Sequence, residues 1–424
     1  MRLRLTTLLA LAVLSSPGLT AEVTYYEYPF VDPLEATVLG TPAIYKADLP
    51  ERIPIEEKQV LALRGRAVPD IFWYTATLHY ALSRQPGEAP LVFIVPGTGA
   101  NFNASKSLIL QRALYQAGLH VVSLPSPIHP NFLVPASRSR RPGLLAEDAE
   151  DIYQVMQLIV RQLRDELQIS RYDLVGYSLG GTHAAFVARL DEQRRSLDFA
   201  RVLLINPPVN LARSAAILDA LFARHFESIA DFSELFNRLM VQFSEFYDPT
   251  QQVLFSDEMV YELYRRRPLP DSTLEALIGA AFRLVSINLL FTSDVMADLG
   301  VLVAESHEIA LTESLTPYFK AASLLDFEFY AREILYPYYL ETSPDVSFEE
   351  LAERNSLRAI SDYLREADKI GLIHNEDDFL LSEDELDYLR RLFGERAQIY
   401  PKGGHAGNMD YRDNVAYVID FFTD

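Results

Sequence analysis

Cysteine is absent from the 424 residues of this sequence. The chain therefore forms no disulfide, carries no lipid on a cysteine and has no thiol nucleophile, so its stability must come from the packing of its core. Basic residues are also scarce, because 38 lysines and arginines stand against 59 aspartates and glutamates, for a formal net charge of −21. An acidic surface of this size argues against a nucleic-acid partner and against electrostatic docking on anionic lipid.

The N-terminus has the order of segments that is typical of a secretory signal peptide. Two arginines, Arg2 and Arg4, precede the apolar run from Leu5 to Leu14, and this run is too short to span a bilayer. The segment Ser15-Ser-Pro-Gly18 then ends any helix that the apolar run forms, and a small residue, Ala21, stands where cleavage would occur. We therefore expect residues 1–21 to be removed and the mature chain, starting near Glu22, to be periplasmic or secreted.

The rest of the chain divides by its hydrophobic pattern. Residues 55–207 alternate short apolar strands with helices, and the same alternation returns from residue 361 onwards. Such alternation predicts an α/β fold, with a mostly parallel central sheet flanked by helices on both faces. The segment between these two parts has helical patterns only. We therefore predict a core formed by residues 22–207 and 361–424, with a large all-helical cap inserted at residues 208–360.

The predicted cap is rich in apolar helices. Residues from Phe232 to Tyr247 repeat apolar side chains at the spacing of one helix face. The segment from Leu274 to Phe291 is long and apolar, but Arg283 near its middle would be costly in lipid, so we expect a buried helix and no transmembrane span in the mature chain. Aromatic residues concentrate between Phe327 and Tyr339, where they could line a dry tunnel or serve only as packing.

The clearest chemical signal lies between Tyr172 and Phe186. A short apolar strand leads into Gly176-Tyr-Ser-Leu-Gly180, and a helix-forming run follows at once. Glycines two positions either side of Ser178 permit a sharp turn that exposes its hydroxyl at the carboxyl end of the strand. This strand, turn and helix resemble the nucleophile elbow of the α/β-hydrolase superfamily. The resemblance implies that Ser178 is the nucleophile of a serine hydrolase with a helical cap insert.

A serine nucleophile needs a base that accepts its proton. His405 lies in the loop Lys402-Gly-Gly-His-Ala-Gly-Asn408, directly after the last predicted strand. A loop in this place can return an imidazole to the sheet edge at which Ser178 is exposed, and it matches the chain order of the family. The other histidines lie in strand, helix or proline-rich patterns and are interpreted as structural or surface residues: His79, His120, His129, His183, His225, His307 and His374.

The base in turn needs a carboxylate that orients it. The turn after the predicted strand Lys369–His374 resembles the acid-bearing turn of the family, and the resemblance selects Asp378. Asp377 is the alternative acid, and Glu376 is a weaker one. No glycine occupies the sharp-turn position of a calcium loop in this acidic cluster, so we expect no metal here.

The loop Gly97-Thr98-Gly99 follows the predicted strand Pro90–Val95, at the place where the family keeps its oxyanion hole. The resemblance implies that the backbone N–H groups of Thr98 and Leu179 are the two donors. A dinucleotide-binding turn is the rival interpretation, but Phe102 occupies its third glycine position and no acidic ribose partner follows the next strand. Zinc-ligand motifs are also missing from the sequence, so we expect neither a cofactor nor a metal.

The three candidate residues occur in the order Ser178, Asp378, His405, as the family has them. The expected activity is hydrolysis of a carboxylic ester with a hydrophobic acyl or aryl group, through an acyl-enzyme. The expected partner is therefore a small-molecule or lipid-like hydrophobic substrate. Two alternatives stay open: a capped peptidase, amidase or thioesterase of the same fold, or a catalytically inactive binding protein of the cell envelope.

Overall fold

The computed structural model describes residues 26–226 and 268–423, together with residues 231, 234 and 265. The predicted signal peptide at residues 1–21 and the apolar residues of the helix pattern between Phe232 and Tyr247 lie outside the described residues. The described part contains a central sheet, a helical layer on each of its faces and a set of helices between two of its strands.

An eight-stranded sheet forms the centre of the protein, in the spatial order β1-β2-β4-β3-β5-β6-β7-β8. The strands are β1 Glu56–Val60, β2 Leu78–Ser83, β3 Ala89–Val95, β4 His120–Ser123, β5 Ile169–Tyr177, β6 Arg201–Ile205, β7 Ile370–Asn375 and β8 Ala397–Tyr400. β2 runs antiparallel to both of its neighbours, and the other neighbouring pairs are parallel. The predicted mostly parallel α/β sheet is confirmed.

The sequence pattern predicts an antiparallel pair of strands from Lys58 to Gly65 and from Thr75 to Ser83, and both strands are shorter in the structure. β1 ends at Val60 instead of Gly65, because the chain turns away from the sheet there. β2 starts at Leu78 instead of Thr75, because a 3-10 helix, Asp70–Thr75, precedes it. The register pairs Val60 with Leu78, so both differences lie beyond the last hydrogen-bonded pair of the two strands.

The described α-helices include those that cover both faces of this sheet and those that lie between β6 and β7. In chain order they are α1 Pro33–Leu39, α2 Ser105–Gln116, α3 Pro130–Ala136, α4 Leu145–Leu163, α5 Leu179–Arg194, α6 Leu211–Ala223, α7 Asp271–Ala297, α8 Thr316–Ala322, α9 Phe327–Tyr330, α10 Tyr336–Leu340, α11 Phe348–Arg354, α12 Ser361–Glu366, α13 Glu383–Phe393 and α14 Arg412–Thr423. Apolar side chains of α4, α5 and α13 pack on one face of the sheet, and those of α2 and α14 pack on the other. In α4 the buried residues recur at helical spacing, so that one stripe of the helix faces the sheet.

Helices α6 to α12 lie in the chain between β6 and β7, and α6 to α11 form the segment before residue 361. The long helix α7 packs closely on α6, since a Cβ atom on Gly279 would lie only 2.3 Å from the backbone nitrogen of Phe222. The two ends of this segment meet next to β6, where the Leu357 N–H donates to the Val209 carbonyl oxygen at 2.8 Å. The segment therefore leaves and rejoins the core beside the carboxyl end of the sheet.

Among the described helices, α7 is the one long and apolar enough to cross a membrane by length and composition. Its most apolar stretch of 18 residues is 56% buried inside the protein, and core helices of soluble proteins have the same length and composition. Arg283, within α7, is buried and donates a hydrogen bond to the Ser323 carbonyl oxygen at 3.2 Å. Its guanidinium also lies over the Phe222 ring, 4.5 Å from the ring centre. These contacts give the arginine partners within the helical segment.

Candidate active site

Ser178 occupies a sharp turn between β5 and α5. Its backbone has φ +54° and ψ −131°, which is a conformation that costs on the order of 1–3 kcal/mol in residues other than glycine. The Ser178 N–H donates to the Ile205 carbonyl oxygen of β6 at 2.8 Å, which holds the turn against the sheet. A Cβ atom on Gly176 would lie 2.0 Å from the Gly180 carbonyl oxygen, and one on Gly180 would lie 2.1 Å from the Val95 carbonyl oxygen. Close backbone contacts therefore require glycine at both positions.

This turn brings Ser178 to two residues from other strand ends. Its Oγ atom lies 2.8 Å from Nε2 of His405, in the loop after β8. Nδ1 of His405 lies 2.9 Å from Oδ2 and 3.2 Å from Oδ1 of Asp378, in the turn after β7. These are hydrogen-bond distances, and an ionised carboxylate only accepts, so Nδ1 carries a proton and Nε2 is free to accept one from the serine hydroxyl. The structure thus brings all three candidate residues together at the carboxyl edge of the sheet.

Asp378 is buried and accepts hydrogen bonds on both of its oxygens. Besides His405, the side-chain amide of Asn206 donates to Oδ2 at 2.9 Å, and the N–H of Leu380 donates to Oδ1 at 3.1 Å. Burial by itself raises the pKa of the Asp378 carboxyl, but the charge and hydrogen bond of His405, with help from Asn206, bring the pKa below its ordinary value. The carboxylate is therefore ionised at neutral pH. Asn206 has no sequence signal beyond its place at the end of a predicted strand.

The neighbouring Asp377 has different partners. It accepts the backbone N–H groups of Gly403 at 3.1 Å and of Gly404 at 2.8 Å, and these bonds fix the loop that carries the imidazole. Burial raises the pKa of Asp377, and the two N–H groups offset this only in part. Glu376 is exposed and pairs with an arginine of α13. The structure thus places Asp378, rather than either alternative acid, against the imidazole.

Helix α1 holds the same histidine loop from another side. The hydroxyl oxygen of Thr37 accepts the His405 N–H at 2.8 Å. A Cβ atom on Gly404 would lie 2.2 Å from the Pro33 carbonyl oxygen, so loop and helix are in backbone contact. No sequence motif indicates this contact, because Thr37 and His405 lie 368 residues apart in the chain.

Two buried asparagines and a tyrosine complete the support of the histidine loop. Asn408 donates to Oδ1 of Asn375 at 2.7 Å, and Asn375 donates to the Gly404 carbonyl oxygen at 2.8 Å. The Tyr28 hydroxyl donates to the Gly407 carbonyl oxygen at 3.1 Å. Because the loop is bonded through both its N–H and its carbonyl groups, the imidazole is held in place before any substrate binds.

The predicted oxyanion loop runs directly past the serine. A Cβ atom on Gly97 would lie 3.0 Å from Cβ of Ser178. Thr98 and Leu179 both line the cavity into which Ser178 opens. Within the described ranges, neither of their backbone N–H groups donates to another protein group. Leu179 is also the first residue of α5, so the partial positive charge of a helix N-terminus lies at the same place.

Ser178 and His405 open into a cavity of about 640 Å³. Most of the side chains around it are apolar, and the core contributes Ile128, Leu144 and Leu380. The inserted helices α6 and α7 contribute a further part of the wall through Leu211, Ala215, Leu218, Ile278, Ala281 and Val285. A largely apolar cavity with a few polar groups at one place is typical of a site for a small hydrophobic molecule.

The aromatic run from Phe327 to Tyr339 takes only a small part in this wall. Phe327 lines the cavity. Tyr330 is buried instead, and its hydroxyl donates to the Pro142 carbonyl oxygen at 2.9 Å, away from the serine. Rings from outside the run also line the cavity: Phe282, Phe348 and Phe379. The run therefore serves mainly as packing, and α6 and α7 supply most of the apolar wall from the insert.

Lys106 is a charged residue of the cavity wall that no sequence motif indicates. It is the second residue of α2, and its Nζ atom lies 3.4 Å from the carbonyl oxygen of His405. Burial lowers the pKa of Lys106 to about 8, although the charges of Asp378 and Asp410 act in the opposite direction. An ammonium group thus lies beside the backbone of the histidine.

The other buried histidines have partners away from the serine hydroxyl. His183 lies in α5 with Nε2 3.3 Å from Oδ2 of Asp148. His374 lies with Nε2 3.9 Å from Oδ2 of Asp378, and burial lowers the pKa of His374, so it is neutral beside the carboxylate. In the part of the chain that the structure describes, no group of three or more acidic or histidine side chains could hold a metal ion.

Solved structures of low sequence identity are similar to this chain. A thermostable esterase from Pseudomonas putida ECU1011 is 15% identical with a TM-score of 0.42, over 90% of this chain and 84% of that one. A hyperthermophilic esterase from the archaeon Pyrobaculum calidifontis is 17% identical with a TM-score of 0.39, over 92% of this chain and 87% of that one. The thioesterase domain from the curacin biosynthetic pathway is 13% identical with a TM-score of 0.39, over 88% and 100%. Similarities this distant carry no argument about substrate.

Among curated proteins, none matches the sequence. A family model matches residues 91–416, which is more than half of the chain, and its description is the alpha/beta hydrolase family. The match includes most of β3, all of β4 to β8, the turn at Ser178 and the loops that carry Asp378 and His405. The chain therefore belongs to the alpha/beta hydrolase family of enzymes.

Proposed function

We propose that this protein is a serine hydrolase that cleaves carboxylic esters with a hydrophobic acyl or aryl group. The observation that carries the proposal is the chain of hydrogen bonds from Ser178 through His405 to Asp378, in the wall of a largely apolar cavity. A hydroxyl, an imidazole and a buried carboxylate in this order supply a nucleophile, its base and the group that orients the base.

In the proposed first half-reaction, Oγ of Ser178 attacks the ester carbonyl carbon while Nε2 of His405 takes the hydroxyl proton. The carbonyl oxygen becomes an oxyanion, which the N–H groups of Thr98 and Leu179 stabilise, while Asp378 stabilises the imidazolium. The tetrahedral species expels the alcohol, which receives the proton from the imidazolium, and the acyl group stays on the serine. Water then gives a proton to the imidazole and attacks the acyl-enzyme. The second tetrahedral species releases the carboxylic acid as the imidazolium returns the proton to Oγ of Ser178.

The apolar wall is the reason to expect a hydrophobic substrate. Each methylene group that moves from water into the cavity contributes about 0.8 kcal/mol, or roughly fourfold in kcat/KM. With p-nitrophenyl esters, kcat/KM should rise from the acetyl ester to longer acyl chains until the cavity is full. A profile that falls steadily from the acetyl ester onwards would mean that the substrate does not reach this wall.

We also propose that residues 208–360 form a cap over the serine and that residues 1–21 are a signal peptide, so that the mature protein is periplasmic or secreted. The contribution of α6 and α7 to the cavity supports the cap. N-terminal sequencing of the native protein should find a start near Glu22. A native protein that retains Met1 would contradict export.

A fluorophosphonate probe, which reacts with activated serines, tests the proposed chemistry directly. The wild-type protein should be labelled and Ser178→Ala should not, whereas Ser105→Ala, which removes another serine of the same cavity, should still be labelled. Hydrolysis of aryl esters would support the esterase, and hydrolysis of aminoacyl-arylamides without ester hydrolysis would favour the amidase alternative. A folded wild-type protein that is neither labelled nor hydrolytic would favour an inactive binding protein.

A further inference from the structure

Lys106 carries a positive charge in the wall of the active-site cavity, and no carboxylate of the described residues pairs with it. Within the described residues it forms no ion pair, and its one hydrogen bond runs from Nζ to the His405 carbonyl oxygen at 3.4 Å. Arg332, another cation of the same wall, already has two partners. Its Nε lies 2.7 Å from Oε1 of Glu328, and its guanidinium lies 4.1 Å from the centre of the Phe348 ring.

The ammonium of Lys106 keeps hydrogen-bonding capacity for a ligand. It has three N–H donors, and its one hydrogen bond to the described part of the protein is longer than an ordinary N–H to oxygen hydrogen bond. The start of α2 adds to this capacity, since Ala104 and Ser105 line the cavity as well. The N-cap residue Ala104 has no side chain that could accept the first N–H groups of the helix. Ammonium and helix N-terminus therefore present positive charge to the same cavity.

A bound anion at this place would relieve two electrostatic costs. A half-buried ammonium without a counter-ion is unfavourable, and burial already lowers the pKa of Lys106 to about 8. During the proposed reaction His405 becomes a cation as well, and two like charges close together disfavour each other. Asp378 and Asp410 attract the ammonium from the protein side, but neither lies within ion-pair distance of it in the described residues.

We propose that the natural substrate carries a carboxylate in addition to its scissile ester, and that Lys106 and the start of α2 bind this carboxylate while the apolar wall binds the rest. This inference rests on the proposed function of the Ser178 site. The carboxylate can belong to the acyl part or to the alcohol part of the ester. Both arrangements present the same group to the ammonium, so the test contains one ligand of each kind.

The test measures the binding of three esters of equal chain length to Ser178→Ala, which cannot form the acyl-enzyme. Monohexyl glutarate carries a carboxylate on the acyl side, the valerate ester of 6-hydroxyhexanoate carries one on the alcohol side, and hexyl valerate carries none. Isothermal titration calorimetry gives the dissociation constant of each ester for Ser178→Ala and for four double variants. Each double variant combines Ser178→Ala with Lys106→Met, Lys106→Gln, Lys106→Arg or Arg332→Met. Circular dichroism shows which variants are folded.

We expect Lys106→Met and Lys106→Gln to weaken the binding of one carboxylate ester about tenfold relative to hexyl valerate, because a hydrogen-bonded charge pair is lost. Lys106→Arg should keep most of the preference, and Arg332→Met should change it less than twofold. The proposal is overturned if neither carboxylate ester responds to Lys106 more than hexyl valerate does. An equal loss for all three esters would also overturn it and would assign Lys106 to positioning of the His405 loop.

Two measurements together distinguish failure of this inference from failure of the proposed function. Binding to Ser178→Ala does not require hydrolysis, whereas labelling by the fluorophosphonate probe depends on the activated serine. Labelling without Lys106-dependent binding would leave a hydrolase for uncharged esters. Lys106-dependent binding without labelling would leave a site that binds carboxylate esters and does not cleave them.

Discussion

Replacement of Asp378 by asparagine should disable the proposed chemistry while it changes the shape of the site very little. The groups that contact the two carboxylate oxygens are all donors: Nδ1–H of His405, the side-chain amide of Asn206 and the N–H of Leu380. An asparagine presents an NH₂ group on one side, so a donor faces a donor in either orientation. The imidazole can relieve this by carrying its proton on Nε2, and Nε2 can then no longer accept the proton of Ser178.

The expected loss follows from the wrong tautomer and from the missing negative charge beside the imidazolium. For Asp378→Asn, kcat/KM should fall by about 10²–10⁴-fold, which corresponds to about 2.7–5.5 kcal/mol of transition-state stabilisation. Asp377→Asn is the matched control, because Asp377 accepts the N–H groups of Gly403 and Gly404 in the loop and does not contact the imidazole in the described residues. The amide oxygen can still accept one of them, so the loss there should stay below about tenfold.

The assay is hydrolysis of p-nitrophenyl butyrate, with thermal unfolding of each variant as the control for folding. Fluorophosphonate labelling supplies a second readout, since Asp378→Asn should be labelled far more slowly than Asp377→Asn. If both variants were folded and Asp377→Asn lost more activity than Asp378→Asn, the assignment of the acid would be wrong by one residue.

Three further perturbations have defined outcomes. Gly180→Ala should destabilise the protein by about 3 kcal/mol or more in chemical denaturation, because its Cβ would lie 2.1 Å from the Val95 carbonyl oxygen. The control Gly87→Ala, whose Cβ would meet no atom within 4 Å, should change the free energy of unfolding by less than about 0.5 kcal/mol. Equal effects of the two substitutions would refute the contact. Thr37→Val should lower kcat about tenfold with little change in KM, because the His405 N–H loses its acceptor. Thr37→Ser keeps the hydroxyl and should keep most of the wild-type kcat. A Thr37→Ser variant as slow as Thr37→Val would contradict this role of the hydroxyl. Because the pKa of Lys106 is about 8 in the folded protein against 10.5 for the free side chain, the unfolded chain binds more protons between these values. Raising the pH from 8 to 10.5 should therefore stabilise the wild type relative to Lys106→Met, and a constant difference in unfolding free energy would refute the shift.

Local features of the protein could be predicted from the sequence, because their causes lie within a few residues. The elbow needs a strand, two glycines at fixed spacing and a helix, all of which lie between Tyr172 and Phe186. The alternation of short apolar strands with helices likewise predicts a mostly parallel sheet covered on both faces, which the structure confirms. The ends of β1 and β2 were harder to predict, since nothing in the hydrophobic pattern separates the start of β2 from the 3-10 helix before it.

The surroundings of the candidate triad depend on contacts between distant segments, and the tertiary structure alone decides them. Asp377 and Asp378 have the same chemistry and adjacent positions, so only the path of the histidine loop determines which carboxylate faces the imidazole. Thr37 and Lys106 reach the backbone of His405 from segments that no periodicity or motif connects to it. At the elbow the sequence determines where β5 ends and the turn begins, because glycine spacing and local backbone preferences decide this. Which side chains then meet at the sheet edge follows from the packing of whole helices, and that becomes visible only in the folded chain.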